Sequence, residues 1–294
     1  MIAAHRDIAT LGSTLRDARS RLVTALALEI DVAALEVHVL LSYVLNKPRA
    51  YLLAHPEAPL SRVDQAHFSA LLARRLQGEP IAYLVGQREF YGLIFTVTPD
   101  VLIPRPETEL LVELALERMP PDRPLHVLDL GTGSGAIAVT LAKHRPQAQI
   151  TALDISPRAL DIACVNAARH QTRHITFIES DWFSALPPHT SRFDLIVANP
   201  PYIADNDPHF LCPDIRFEPA AALRAGPEGL DAIRHIARFS GHHLNVNGYL
   251  LLEHGYDQQN ACAAILSSQK FSAVTCHRDI GKQARVSLGK KAWD

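Results

Sequence analysis

The stretch "HVLDLGTGSGAIAVTLA", residues 126–142, decides the fold. An apolar run ends at Leu130, three glycines follow at alternate positions, and an alanine-rich apolar segment comes next. This order predicts a buried strand, a glycine turn and a helix that begins at Ser134. Glycine lets the backbone turn tightly and approach a ligand at the positive end of the helix dipole. The stretch therefore predicts a pocket for a nucleotide-like ligand, although its spacing also fits a dinucleotide fingerprint if Ala136 takes the last place.

Strands and helices alternate on both sides of this stretch. The predicted elements are a helix over Thr108–Met119, strands at Leu125–Leu130, at Gln149–Asp154, near Ile175, near Asp194 and at residues 248–255, and helices from Pro157 and from about Pro227. Such alternation is typical of an α/β fold with a doubly wound, mostly parallel, Rossmann-like sheet that has helices on both faces. The runs "KFSAVTCHRDI" (270–280) and "ARVSLGK" (284–290) have only a short connection, so we expect them to pair antiparallel.

The first third of the chain has a different pattern. Leucine and alanine recur at three- and four-residue spacing over residues 10–77, which predicts a small all-α helical bundle. The next run, "IAYLVGQREFYGLIFTVT" (81–98), has aromatic and β-branched residues around two glycines and predicts a β-hairpin. We therefore predict three segments: a helical substrate-recognition domain at 1–78, a β-hairpin linker at 79–106 and a catalytic domain at 107–294.

Charge and composition limit the possible partners. The 294 residues carry a formal net charge of −2 with a pI near 6.7, so the chain has no overall attraction for phosphate backbones or anionic membranes. No apolar run reaches the roughly 20 residues that span a bilayer, and the N-terminus lacks the pattern of a signal peptide. The four cysteines have no close paired spacing. We expect a cytoplasmic monomer without a metal site, membrane contact or direct nucleic-acid contact.

Two residues near the ends of later strands are candidates for contact with a nucleoside. Asp154 ends the second strand of the sheet, where its carboxylate can accept hydrogen bonds from both ribose hydroxyls. Alternatively, Asp154 caps the helix that starts at Pro157, a role that Ser156 could also fill. Trp182 follows the third strand, and its flat apolar face suits a purine ring, although it could equally fill part of the core.

The run "DLIVANPPYIAD", residues 194–205, ends a strand in an unusual way. Asn199 is followed by Pro200, Pro201 and Tyr202, so two backbone donors are lost and two φ angles are fixed. The carbonyls of this turn are left free and rigidly aimed. An amide side chain, a fixed carbonyl and an aromatic ring in one turn suit a flat substrate that carries an NH2 group. The alternative is a solvent loop interrupted by proline.

The segments "DLGTGSG", "ALDIS", "SDWFS" and "NPPY", in this order and spacing, resemble the S-adenosylmethionine-dependent methyltransferases with an Asn-Pro-Pro-Tyr signature, which methylate planar nitrogens. The helical first third and the segments "IPRPETE", "RFEPAAAL" and "LLLEHG" are more specifically similar to the release factor glutamine methyltransferases, the PrmC/HemK family. This resemblance covers essentially the whole chain. It implies a class I fold with a seven-stranded sheet and S-adenosylmethionine as methyl donor. It also implies that class 1 peptide chain release factors are the partners, methylated at the glutamine of their Gly-Gly-Gln motif.

Specific residues follow from the motifs and from the resemblance. We expect the cofactor to contact Gly131, Thr132, Gly133, Ser134, Gly135, Asp154, Trp182 and Asn199. An amide nitrogen is a poor nucleophile, so positioning must do most of the catalytic work. We expect the Asn199 side-chain oxygen and the Pro200 carbonyl each to accept one N–H of the substrate amide. Pro201 would hold the turn rigid, and the resemblance implies that Tyr202 packs against the flat amide.

Four charged residues are weaker candidates for substrate contact. Arg105 and Glu107 follow the predicted hairpin and could bind substrate at the mouth of the site, although Glu107 also begins a helix, where a carboxylate favours the dipole. Arg216 and Glu218 come after a polar loop that could close over the substrate. A simple ion pair between these two residues at the surface is the alternative.

Other functions remain open from the sequence. The same tetrapeptide serves enzymes that methylate the amino group of a nucleic-acid base, but such enzymes must unstack the base and hold the strand, which ordinarily requires basic surface. Methylation of a ribosomal protein glutamine is disfavoured because that sister family carries a different run at residues 105–108. A nicotinamide-dependent oxidoreductase would explain the glycines and Asp154 but not Asn199 to Tyr202. A non-enzymatic adaptor is disfavoured because the expected cofactor and substrate residues are all present.

Overall fold

The N-terminal part of the chain is a helical bundle. The structure, a computed structural model, describes residues 9–187 and 192–293. The helices of the bundle are α1 (Leu11–Leu26), α2 (Ile30–Leu45), α3 (Arg49–Ala54), α4 (Arg62–Leu76) and α5 (Ile81–Val85). Their apolar faces share one core, in which Leu22, Leu40 and Phe68 are almost completely buried. The predicted all-α region is therefore confirmed.

The hairpin is shorter than its sequence suggests. Strand β1 (Gln87–Phe90) pairs antiparallel with β2 (Leu93–Thr96), but residues 81–85 form α5. Gly86, with a φ of 71°, ends α5 in the left-handed conformation that glycine adopts readily. The prediction of a hairpin is wrong for residues 81–85, because their apolar side chains pack with the bundle and burial outweighs their β propensity.

The rest of the chain folds around a sheet that has seven strands among the described residues. The strands are β3 (His126–Leu130), β4 (Gln149–Asp154), β5 (Thr176–Glu179), β6 (Phe193–Ala198), β7 (Leu244–Glu253), β8 (Ser272–Arg278) and β9 (Ala284–Lys290). The helices are α6 (Thr108–Glu117), α7 (Ala136–His144), α8 (Pro157–Arg169), α9 (Asp231–His243) and α10 (Gln259–Ser268).

The strand order defines where a ligand binds. It runs β5-β4-β3-β6-β7-β9-β8. Neighbours from β5 to β7 pair in parallel, whereas β9 lies antiparallel between β7 and β8. This confirms the predicted mostly parallel sheet with an antiparallel C-terminal pair. The order reverses between β3 and β6, and doubly wound sheets bind ligands at the carboxyl ends of the strands at such a point.

Two apolar cores lie on the two faces of the sheet. Val127 and Leu251 belong to one core, and the residues that follow each of them, Leu128 and Leu252, belong to the other. Side chains alternate between the faces of a strand, so burial on both faces requires an uninterrupted apolar run. This explains why "HVLDL" and "YLLLE" are nearly continuous in hydrophobic residues.

Two helices begin later than predicted. Helix α7 begins at Ala136 and not at Ser134, because Gly135 takes a positive φ of 79° and forms the N-cap. Helix α9 begins at Asp231 and not at about Pro227, because a turn containing Gly229, with a φ of 69°, precedes it. In both cases the glycine delays the helix by taking a conformation outside the right-handed helical region.

The chain divides into two compact units. The first unit runs to Gly86 and also includes His209–Phe217, and the second comprises Gln87–Pro208 and the chain from Glu218 onward. The predicted linker, 79–106, is thus shared between the units, and the three predicted segments remain a prediction about function. In the first unit the buried Arg75 forms ion pairs with Glu36 and with Asp214, at 2.7 and 2.8 Å. The Arg75–Asp214 pair holds residues 209–217 to the bundle, and the Arg75–Glu36 pair joins α4 to α2 within it.

Candidate active site

The register of the parallel strands brings the candidate residues together. Leu130 at the end of β3 pairs with Ala198 of β6 on one side and with Leu153 of β4 on the other. The loop after β3 therefore lies between Asn199, which follows β6, and Asp154, which ends β4. Residues that are far apart in the sequence meet at the point where the strand order reverses.

A cavity of about 620 Å³ opens at this edge of the sheet. Six of the expected site residues line it: Gly131, Gly133, Asp154, Trp182, Asn199 and Pro201. The lining does not include Thr132, Ser134, Gly135, Pro200, Tyr202, Arg105 or Glu107. The volume is within the range that is typical of small-molecule sites. The cavity therefore groups most of the expected cofactor residues with the first residue of the Asn-Pro-Pro-Tyr turn.

The glycine loop offers its backbone to this cavity. Gly133 has a φ of 55°, and a Cβ placed there would have no atom within 4 Å. Gly135 has a different role, because a Cβ there would lie 3.1 Å from the Cβ of Ala163 on α8. One glycine thus keeps space open for a ligand, and the other allows close packing of the loop against a helix.

Asp129 in β3 holds the glycine loop through hydrogen bonds, a role that was not predicted from the sequence. Its Oδ2 accepts hydrogen bonds from the Thr132 hydroxyl at 2.7 Å and from the Ala138 N–H at 3.2 Å. Complete burial raises the pKa of Asp129 to about 7, and these two hydrogen bonds oppose the rise. The available signal was an acid inside the otherwise apolar strand "HVLDL".

Asp154 is placed between the glycine loop and α8. Its Oδ2 accepts from the Gly133 N–H at 2.8 Å, and its Oδ1 accepts from the Ser156 N–H at 2.9 Å. The helix cap itself is Ser156, whose hydroxyl accepts from the Ala159 N–H, so capping does not explain Asp154. Burial raises the pKa of Asp154, while the Ser156 and Gly133 N–H groups lower it. The Ile155 N–H also bonds this carboxylate, so three of its roughly four acceptor positions are used and one remains for a ribose hydroxyl.

An aromatic wall follows β5. Trp182 is half-buried, has a positive φ of 49° and lies 6.3 Å, centroid to centroid, from the exposed ring of His235 on α9. Both residues line the cavity, as does Asp181. Two flat faces and an acceptor of N–H groups suit an adenine ring with its exocyclic amino group. Trp182 was predicted from the sequence, whereas Asp181 and His235 were not; Asp181 lies within the motif "SDWFS", and His235 lies in no motif.

The Asn199 amide is held on one side. Its Nδ2 donates to the Thr108 hydroxyl at 3.0 Å, and Thr108 is the buried first residue of α6. The amide oxygen is therefore the atom free to face the cavity that Asn199 lines. The acceptor role expected of Asn199 stays a prediction, and this orientation of the amide is compatible with it. The contact with α6 was not predicted from the sequence.

Tyr202 is fixed by two contacts beneath the turn. Its hydroxyl donates to Glu253 Oε1 at 3.3 Å, and its carbonyl accepts from Gln258 Nε2 at 3.0 Å. Burial and the charge of Glu253 raise the pKa of Tyr202, which keeps the hydroxyl protonated as a donor. The ring lies outside the cavity lining, against the core beside β6 and β7.

Glu253 at the end of β7 is fully buried and is an unexpected member of the site. Burial raises its pKa to about 7, opposed by hydrogen bonding from Thr108, by the positive charge of Arg285 and by hydrogen bonding from Tyr202. The negative charge of Glu107 acts in the same direction as burial. The segment "LLLEHG" contributed a strand prediction and part of a resemblance but no role for Glu253. The available signal was an acid inside a buried strand.

Arg105 and Glu218 form an ion pair with each other, in which Glu218 is buried. Glu218 also accepts from the Ile103 N–H at 3.2 Å. The alternative of a surface ion pair between Arg216 and Glu218 is wrong, because Arg216 lies in the helical unit, where it donates to the Gln77 carbonyl. Arg105 is thereby bound to Glu218, the residue at which the chain re-enters the second unit. Glu107 is the half-buried N-cap of α6.

Comparison with protein families divides the chain in a similar way. The family model described as the PrmC N-terminal domain matches residues 13–86, and the model described as the methyltransferase small domain matches residues 107–226. The release factor glutamine methyltransferase of Vibrio cholerae is 47% identical over 261 residues, which cover 88% of this chain and 90% of the relative. The enzyme of the same name from Xylella fastidiosa strain Temecula1 is 45% identical, covering 88% of this chain and 94% of the relative.

Solved structures support the fold. A methyltransferase from Pyrococcus furiosus matches with a TM-score of 0.53 at 18% identity, covering 76% of this chain and all of that protein. At this identity the likeness concerns the fold alone. It agrees with a Rossmann-like sheet.

Proposed function

The chain belongs to the release factor glutamine methyltransferase family, and from this premise we propose that it methylates the side-chain amide nitrogen of the glutamine in the Gly-Gly-Gln motif of class 1 peptide chain release factors. The methyl donor is S-adenosylmethionine. The observation that carries the proposal is the orientation of Asn199, whose amide nitrogen is engaged by Thr108 so that its oxygen is available beside the cofactor cavity.

The residues of the cavity fit this donor. The open space above Gly133 admits a ligand against the backbone, and the Asp154 carboxylate keeps an acceptor position for a ribose hydroxyl. Trp182 and His235 provide flat faces for an adenine. When bound, S-adenosylmethionine supplies an electrophilic methyl group on a sulfonium. The contribution of this chain is to hold that group facing the Asn199 turn.

The substrate amide needs precise positioning because its nitrogen lone pair is delocalised into the carbonyl. Asn199 Oδ1 accepts one N–H of the glutamine amide, and the Pro200 carbonyl accepts the other. These two acceptors orient the nitrogen toward the methyl group and strengthen as the nitrogen becomes positive in the transition state. The two prolines hold the turn rigid, so little reorganisation accompanies the reaction.

Tyr202 is the last residue of the Asn-Pro-Pro-Tyr turn and is held by contacts on the core side of it. Its hydroxyl is held by Glu253 and its carbonyl by Gln258, so the ring has a fixed place behind the acceptors. In this role the Tyr202 ring, which packs against the core outside the cavity lining, supports the turn and keeps water out from behind it. Dry surroundings strengthen the hydrogen bonds that Asn199 and Pro200 make.

That release factors are the substrate follows from family membership. How the substrate is recognised, where the enzyme is located and whether it is a monomer remain predictions. We predict that the helical unit, whose composition has no basic stripe, recognises the body of the release factor and does not bind nucleic acid. No helix in residues 9–187 and 192–293 combines the length and apolarity that crossing a membrane requires. A cytoplasmic location and a monomeric state stay predictions from the sequence.

The test is methyl transfer from labelled S-adenosylmethionine to separately purified release factors, ribosomal proteins and RNA. The label should appear on release factor, and mass spectrometry of proteolytic fragments should place it on the glutamine of the Gly-Gly-Gln motif. A release factor in which that glutamine is replaced by asparagine is the control, because its amide is one methylene shorter. Label found on ribosomal protein or on RNA, with none on release factor, would refute the proposal.

A further inference from the structure

Resting on the function proposed above, we infer that Thr108 and Glu253 are positioning residues that determine which atom of the Asn199 amide faces the substrate. Neither residue lines the cavity, so neither is assigned a contact with cofactor or substrate. Their effect passes through hydrogen bonds to Asn199 and Tyr202. They would thereby select a substrate that donates N–H groups.

Glu253, Thr108 and Asn199 lie in series from the core to the cavity. Thr108 is 4% exposed and Glu253 is completely buried, so water cannot replace either partner. Asn199 Nδ2 lies 3.0 Å from the Thr108 hydroxyl oxygen. The Thr108 hydroxyl also lies close enough to the Glu253 carboxyl to lower its pKa. The Tyr202 hydroxyl lies 3.3 Å from Oε1 of that carboxyl. Among the described residues Glu253 Oε2 is buried without a hydrogen-bond partner, so this oxygen can still accept from the nearby Thr108 hydroxyl.

The direction of these hydrogen bonds follows from the chemistry of each group. An ionised carboxylate can only accept, so it draws the single hydrogen of the neighbouring Thr108 hydroxyl toward itself. The Thr108 oxygen then presents only lone pairs to Asn199, and it can bond the amide nitrogen but not the amide oxygen. The charge on Glu253 thus fixes the Asn199 oxygen toward the cavity.

This orientation matters because the two ends of an amide have nearly the same size and opposite hydrogen-bonding character. With its oxygen inward, Asn199 accepts from the NH2 group of a glutamine side chain. With its nitrogen inward, Asn199 would place a donor against a donor and would lose an acceptor that strengthens in the transition state. Packing alone cannot distinguish the two orientations, whereas the Thr108 hydroxyl can.

Four variants test the inference. Thr108→Val keeps the shape but removes the hydroxyl, and Thr108→Ser keeps the hydroxyl. Glu253→Gln keeps the shape but adds an NH2 donor, which can bond the Thr108 oxygen and turn the hydroxyl hydrogen toward Asn199. The fourth variant combines Thr108→Val with Glu253→Gln. It lacks the Thr108 hydroxyl, through which Glu253 acts on Asn199; this connection from Glu253 through Thr108 to Asn199 is called the relay.

The expected order of single-turnover rates is specific to the relay. Thr108→Ser should stay close to the wild type, and Thr108→Val should be slower by about tenfold, the loss of one net hydrogen bond. Glu253→Gln should be slower by about a hundredfold, because it favours the reversed amide and so removes one preorganised acceptor. The double variant should be no slower than Thr108→Val alone, because without the hydroxyl the new donor cannot reverse Asn199.

The measurement uses purified full-length enzyme, saturating S-adenosylmethionine and purified release factor, well above pH 7 so that Glu253 is ionised. Thr140→Val on α7 is the matched control, because Thr140 is equally buried but bonds only the carbonyl of Ala136 within its own helix. Affinity for S-adenosylmethionine should be unchanged in all variants, and the loss should lie in kcat more than in KM.

The outcomes separate this inference from the proposed function. If the wild type does not methylate release factor, the proposed function fails whatever the variants do. If the wild type is active and Thr108→Val and Glu253→Gln match it, the relay is refuted. Rate losses that multiply in the double variant, or a Thr108→Ser variant as slow as Thr108→Val, would indicate two independent packing effects and would equally overturn the inference.

Discussion

Replacing Asn199 by alanine is the most direct perturbation of the candidate active site. The change removes the amide oxygen that faces the cavity and also the donor to Thr108 at 3.0 Å. In the ground state the loss is about one net hydrogen bond, on the order of 1 kcal/mol of stability. In the transition state the oxygen opposes developing positive charge, and losses at comparable preorganised groups are about 3–4 kcal/mol, or a hundred- to a thousandfold in rate.

The assay for Asn199→Ala is single-turnover methylation of purified release factor at saturating cofactor, with the affinity for each ligand measured separately by calorimetry. The rate of methyl transfer should fall much more than either affinity. Asn260→Ala is the control, since Asn260 is exposed on α10. Asn199→Asp keeps an oxygen acceptor but cannot donate to Thr108, so its rate should lie between those of the wild type and the alanine variant. Full activity of Asn199→Ala would refute the positioning mechanism.

Four further predictions concern the cofactor cavity and the helical unit. Asp154→Ala should weaken S-adenosylmethionine binding by about 1.5–3 kcal/mol in calorimetry, because a charged acceptor is lost, and unchanged affinity would reject ribose binding. Gly133→Val should abolish cofactor binding, since its side chain would enter the open space above the loop, while circular dichroism stays close to the wild type; normal binding would place the cofactor elsewhere. The raised pKa of Asp129 means that the native state binds more protons than the unfolded state between pH 3.8 and about 7, so stability should fall as pH rises through this window. Asp129→Asn should flatten this part of the thermal-unfolding profile, and an unchanged slope would contradict the assignment. Arg75→Met should destabilise the helical unit more than Asp214→Asn does, because Glu36 is left in a mostly buried place whereas Asp214 is half-exposed; equal effects in thermal unfolding would count against this view.

The parts of the structure that depend on local sequence were predictable. The glycine loop, the alternating strands and helices and the Asn-Pro-Pro-Tyr turn each carry their signal in adjacent residues, through periodicity and backbone restriction. The boundaries of α5 and α7 were less predictable, because tertiary packing and a positive φ at glycine decided them.

The supporting residues of the site could not be predicted in their roles. Thr108 reaches Asn199 across 91 residues of sequence, and Glu253 reaches Tyr202 across 51. Such contacts depend on strand order and register, which no short motif specifies. An acid within a buried strand, as at Asp129 and Glu253, was the one local signal of these roles, since a buried carboxyl group requires partners.

The passage of residues 209–217 into the helical unit has a consequence for how this enzyme family can be recombined. The chain changes unit three times, after Gly86, after Pro208 and after Phe217. A chimaera that exchanges only the N-terminal third would separate Asp214 from Arg75, its native ion-pair partner. Residues 209–217 would then have to pack on a helical bundle from another protein. The unit that must be exchanged is therefore discontinuous in sequence, and the helical part and residues 209–217 should be transferred together. Among relatives, we expect the charges at positions 36, 75 and 214 to vary together.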